Sequence, residues 1–69
     1  MTWVFEREGA RLECEISRDE ASGGYRLVVT QPDGSRSVED IYEPSALIER
    51  SATVMQALTN EGWRTVGTH

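Results

Sequence analysis

With 69 residues, 38% of them hydrophobic, and a formal net charge of −5 from 12 acidic against 7 basic residues, the chain has room for one small domain, which buries only about 60% of the surface its unfolded form exposes. The acidic balance argues against a general attraction to phosphate backbones or anionic membranes, and a lone Cys14 with a lone His69 excludes both an internal disulfide and a Cys/His zinc spacing. No stretch approaches the ~20 apolar residues of a membrane span and the opening Met-Thr-Trp-Val-Phe-Glu-Arg lacks a signal-peptide pattern, so a cytoplasmic location is the default expectation.

In chain order, Trp3 to Glu8 alternates Trp3 and Phe5 against Val4 and Glu6, and Arg11 to Ser17 alternates Leu12, Cys14 and Ile16 against charged residues. Both read as half-buried strands. A type II′ turn at Gly9-Ala10 pairs Glu8 with Arg11, Phe5 with Cys14 and Trp3 with Ile16. The polar loop Asp19 to Gly24 leads to a third strand, about Tyr25 to Gln31, with Tyr25, Leu27 and Val29 inward. Gln31-Pro32-Asp33-Gly34-Ser35 carries the signature of a type I turn with a G1 bulge, which pairs Gln31 with Ser35, Val28 with Val38, Arg26 with Asp40 and Tyr25 with Ile41. The fourth strand, Ser35 to Tyr42, thereby brings Ile41 into the core. From Pro44 to Gly62, Leu47, Ile48, Val54, Met55 and Leu58 recur at helical spacing. Pro44 suits the first turn, and Gly62 fits the left-handed position past the C-cap, which makes Leu58 and Trp63 the contact pair of a Schellman motif. Ser51, within the apolar stripe, marks a close approach of helix to sheet. The expected fold is α+β, a single domain over 1–69 with a four-stranded antiparallel meander packed by one C-terminal helix, ordered β-β-β-β-α, and a frayed tail at 64–69.

This register lays out the inward rows Trp3, Ile16, Tyr25, Ile41 and Phe5, Cys14, Leu27, Glu39, which make Cys14 a buried, inert thiol and Trp3, Phe5 and Tyr25 core residues. Trp63 is then the one aromatic with a share in the surface. On the outer face Glu6, Glu13 and Glu15 form a solvated charged surface, with Glu6 and Glu13 as an unfavourable like-charge neighbour pair. No nucleophile and base, metal-ligand set or phosphate loop stands out, so neither an enzymatic activity nor a cofactor is expected. Two surfaces remain. Val4, Val28 and Val38, with Arg26, place apolar residues on the uncovered face and so form a candidate interaction surface, while the edge strands offer strand addition. Arg11 and Arg36, on either side of Thr30, are candidate anion contacts and carry the alternative reading of weak nucleic-acid binding, which the net charge disfavours. A core this small supplies no more than roughly 3–5 kcal/mol. Association, as a homodimer or with an unidentified protein partner, is therefore the expected source of further stability. All seven cations are Arg, which suits bidentate pairing with carboxylates, although the codon usage of a GC-rich genome is the preferred account.

The order of Trp-Val-Phe-Glu-Arg at the start, Gly-Tyr-Arg-Leu-Val-Val and Pro-Asp-Gly in the middle and Gly-Trp after the helix resembles a group of small bacterial proteins without an assigned activity. The resemblance spans nearly the whole chain and implies no functional residue. The sheet-then-helix order is also similar to the last four elements of the double-stranded RNA-binding domain. The chain departs from that domain in lacking its first helix and the basic cluster of its last helix, where Pro44-Ser45-Ala46 stands.

Overall fold

The computed structural model describes residues 1–68. Strands β1 (Thr2–Arg7), β2 (Ala10–Asp19), β3 (Gly24–Thr30) and β4 (Arg36–Ile41) form an antiparallel meander, followed by helix α1 (Pro44–Asn60) and strand β5 (Arg64–Thr68). The five-stranded sheet is ordered β4-β3-β2-β1-β5. The fold class is α+β, but the helix is not the last element. It carries the chain from one edge of the sheet to the other, where β5 pairs antiparallel with β1, so residues 64–68 of the expected tail are a strand. The reading of His69 as a frayed terminal residue falls outside the described residues.

The β3–β4 hairpin follows the turn chemistry directly. Gly34 takes φ 90°, its N–H donates to the Gln31 carbonyl at 2.9 Å, and the Gln31 N–H donates to Ser35 at 2.8 Å. The other three expected pairs, Val28–Val38, Arg26–Asp40 and Tyr25–Ile41, are also present.

The other two registers differ from expectation, each by two residues. In the first hairpin Arg7 faces Ala10, and Glu8 (φ 51°) and Gly9 (φ 80°) form the two-residue loop. Positive φ at both positions is the type I′ geometry, whose twist matches that of the flanking strands, whereas II′ requires it only at the first. The shift pairs Trp3 with Cys14 and Phe5 with Leu12, and it replaces the Glu6–Glu13 contact by Glu6 opposite Arg11. Opposite charges facing each other are favourable where like charges are not. Between β2 and β3 the pairs are Cys14–Val29, Ile16–Leu27 and Arg18–Tyr25. A shift of two leaves every side chain on its expected face. The inward rows become Trp3–Cys14–Val29–Ser37, Phe5–Leu12, Ile16–Leu27–Glu39 and Arg18–Tyr25–Ile41.

The core comprises Phe5, Leu12, Cys14, Leu27, Ile41, Leu58 and Trp63, with Trp3, Ile16, Val29, Leu47, Val54 and Met55 packed around it. On the helix the inward stripe runs Leu47, Ser51, Val54, Met55 and Leu58, the first four half-buried and Leu58 buried. Ile48 lies about 100° round the helix from Leu47 and is 69% exposed. Burial pushes the Cys14 thiol above its ordinary value, which keeps it neutral and inert.

The helix ends in a Schellman motif as its sequence requires. With Glu61 as C-cap and Gly62 at φ 93°, the Trp63 N–H donates to the Leu58 carbonyl and the Gly62 N–H to Thr59, both at 3.0 Å. Trp63 is buried rather than partly exposed, because it packs under the guanidinium of Arg7, 4.5 Å from the ring centre. The same guanidinium donates to the Glu61 carbonyl at 2.7 Å, so a cation neutralises the negative end of the helix. These contacts aim the chain along the edge of β1, and β5 follows.

Candidate interaction site

The register places Val4, Val28 and Val38 on the outer face, together with Arg26, but not as an exposed apolar patch. Val28 is only 4% exposed and Val4 only 7%, against 56% for Val38. Val28 lies between Glu15 and Val38 across the strands and between Arg26 and Thr30 along its own strand, so longer neighbours shield it. Val4 is flanked by Glu13 and Gly67. Val38 stands on the last strand with no neighbour beyond it. The expectation of a surface valine pair is therefore corrected to one exposed valine at a sheet edge.

Two ion pairs lie on this face, while Glu13, Glu15 and Arg36 stand outside them. Arg26 donates from Nε to Asp40 at 3.0 Å, and that contact holds its guanidinium pKa above the ordinary value. Arg11 lies 3.4 Å from Glu6. Both pairs are close to half exposed or more, where such contacts contribute about 0–1 kcal/mol. The two-residue shift also separates the expected anion contacts. Thr30 has Arg36 on one side and Glu13 on the other, so a carboxylate stands where Arg11 was expected. Among the described residues no three His, Cys, Asp or Glu side chains gather as a metal site, and no helix is long and apolar enough to cross a membrane.

The two edge strands expected from the sequence were Trp3–Glu8 and Ser35–Tyr42. The first is covered by β5. The second remains open as β4, and the direction of its backbone groups follows from the ladder. In an antiparallel pair, facing residues alternate between exchanging both hydrogen bonds and exchanging none. Met1 and Ile16 exchange both, at 2.9 Å each, so the even-numbered residues of β2 bond to β1 and the odd-numbered ones to β3. Glu15 then bonds to Val28, which leaves Val28 and Val38 a non-bonded pair. Counting from the Gln31–Ser35 bond along β3–β4 gives the same phase. The N–H and C=O of Arg36, Val38 and Asp40 therefore point away from the sheet, toward the open edge.

Beside that edge a groove runs between β4 and α1, lined by Glu39, Ile41, Ala46, Glu49, Arg50 and Thr53. Arg50 donates from Nε to Glu39 at 2.7 Å and ties helix to strand there. The turn leading into β4 is held by Asp33, whose Oδ1 accepts from the Ser35 hydroxyl at 2.7 Å and from its N–H at 2.9 Å. Those donors hold its carboxyl below the ordinary value. Sequence reasoning missed the helix wall of this groove. A signal for it existed in Glu39, the one carboxylate in an otherwise apolar row, since a charge facing inward requires a counter-charge from the covering layer.

The other edge is different in kind. Along β5, Thr65 faces Phe5 and Gly67 faces Val4, so Val66 is an extra, bulged residue, and bulges are a recurrent means of blunting a sheet edge. No protein-family model, curated protein or solved structure matches this chain.

Proposed function

We propose that this protein is a small non-enzymatic interaction module that binds an extended polypeptide segment along β4, as an added antiparallel strand. The observation that carries the reading is the phase of the β4 ladder, which leaves the backbone groups of Arg36, Val38 and Asp40 unpaired beside a groove. In strand addition the main-chain bonds supply affinity, and alternate side chains of the guest enter a flanking groove to supply selectivity. Ile41 offers that groove an apolar wall, and the Glu39–Arg50 pair offers it both charges. The opposite edge is bulged, and of the outer-face valines Val4, Val28 and Val38 only Val38 is exposed, which favours β4 over either.

Panning displayed random peptides against the protein and against its Val38→Pro variant tests this. Proline at position 38 removes an outward N–H that has no partner within the sheet, and edge positions facing solvent tolerate it. Peptides captured by the parent and lost by the variant are expected. Peptides captured equally by both would overturn β4 as the binding edge.

A further inference from the structure

We infer that the strand this edge accepts is β4 of a second copy of the chain, paired antiparallel about a two-fold axis between the two Val38 residues. The inference rests on reading β4 as the binding edge. Its basis is that β4 is complementary to itself in one register.

The outward-pointing residues Arg36, Val38 and Asp40 must face outward-pointing residues of the second copy for their bonds to form. Pairing Val38 with Val38 sets Arg36 opposite Asp40 on both sides of the axis, and all three positions exchange both N–H···O bonds. Centring the axis on Arg36 or on Asp40 instead sets like charges directly opposite each other, which is unfavourable. Centring it on Ser37 or Glu39 leaves one of the three outward positions facing a residue beyond the strand, and no Arg–Asp pair forms. Only the Val38-centred register uses every free group and pairs every charge.

The outer face continues across this axis without a break. Val28 already faces Val38, so the dimer carries one apolar row, Val28–Val38–Val38–Val28, that covers the exposed side of Val38. Arg26 donates to only one oxygen of Asp40, Oδ1, which leaves Oδ2 for the second copy's Arg36. The charged row on each side becomes Thr30–Arg36–Asp40–Arg26, with the signs alternating. On the groove side Ser37 meets Glu39 of the second copy, and two polar residues suit that solvated position. Such an isologous contact closes on itself, so it stops at a dimer with a ten-stranded sheet. A pairing of one short strand lies at the small end of specific interfaces, and the association is correspondingly weak, roughly micromolar to millimolar.

Mass in solution across a concentration series, by sedimentation equilibrium, tests this on the parent, Val38→Pro, Arg36→Glu, Asp40→Arg and a mixture of the last two, with circular dichroism confirming folding. The parent should rise from 7.7 kDa toward twice that mass, and Val38→Pro should remain a folded monomer. Arg36→Glu alone and Asp40→Arg alone each set like charges across the axis and should lose at least tenfold in association. Their mixture should recover it, because the introduced carboxylate of one copy then meets the introduced guanidinium of the other, while the retained Asp40 meets the retained Arg36. Should Val38→Pro fail to fold, the charge variants decide, since both alter exposed side chains. A dimer that persists in Val38→Pro, or a mixture no stronger than its components, overturns the inference. So does a parent monomeric at about 1 mM. In that last case Val38→Pro-sensitive peptide capture would leave the β4 edge as a site for another partner, and its absence would remove both readings.

Discussion

The two edges of the sheet are both exposed short strands, yet they are held in different ways. β4 follows a tight turn and pairs with β3 in unbroken register from Thr30–Arg36 to Tyr25–Ile41. β5 follows a helix, carries a bulge at Val66 and has no buried residue of its own. Its position derives from Trp63 and Leu58 just before it and from Arg7, which bonds the Glu61 carbonyl and stacks on Trp63. One edge is a local structure with a regular, free hydrogen-bonding face. The other is placed by tertiary contacts and is irregular. The difference teaches that a regular edge free of bulges and proline is not a by-product of weak packing, since the more weakly anchored strand is the blunted one.

The most direct way to break the comparison is Trp63→Ala. It removes a buried ring and the partner of Arg7, and should cost about 3–5 kcal/mol, comparable to the whole margin of a domain this small. Thermal denaturation followed by circular dichroism reads the loss. Amide exchange on the milder Trp63→Phe should show β5 deprotected before β3 and β4. Protection lost uniformly would mean that β5 and the meander unfold as one unit.

A smaller effect sharpens the β4 side. Ser37→Pro removes an N–H that bonds Val29, and should destabilise by about 1–3 kcal/mol, while Val38→Pro, whose N–H points outward, should stay within about 1 kcal/mol of the parent. Equal losses in chemical denaturation would show the assigned phase of the ladder to be wrong.

The smallest effect is acidic. The Asp33 carboxyl is held low by the Ser35 hydroxyl and then its N–H, and Asp19 by the Ser22 hydroxyl and then the Ala21 N–H. Each folded pKa lies below the unfolded 3.8. Their stabilising contribution is therefore present above pH 3.8 and is lost as the pH falls through the folded values. Asp33 is exposed and Asp19 only partly covered, so the fall in Tm should be slight and should shrink further in Asp33→Ala. A Tm equally acid-sensitive in that variant would remove the turn as a contributor.

Much of the fold was legible because its signals are local. Pro32-Asp33-Gly34 specified the turn and register of the hairpin that carries the candidate edge, and Leu58, Gly62 and Trp63 specified how the helix ends. The candidate site was legible in part. Val38 and Arg36 were singled out, but for the outer face and for anion contact, and Arg50 and Glu49 were not seen as a groove wall because their position over β4 depends on how the helix crosses the sheet. Val4 and Val28 alternate as exposed residues do, and only their neighbours across the sheet bury them.

By itself the sequence determined which face of each strand turns inward, where the helix begins and ends, and the β3–β4 register. Alternation along a strand repeats every two residues, so pairings displaced by two satisfy the hydrophobic pattern equally well. The choice between them fell to turn geometry and to Glu6 meeting Arg11 rather than Glu13. Only the tertiary structure decided that Arg64–Thr68 is a strand, because its polar residues carry no period and its partner, β1, lies at the other end of the chain. That pairing covered β1 with a bulged strand and left β4 as the regular edge.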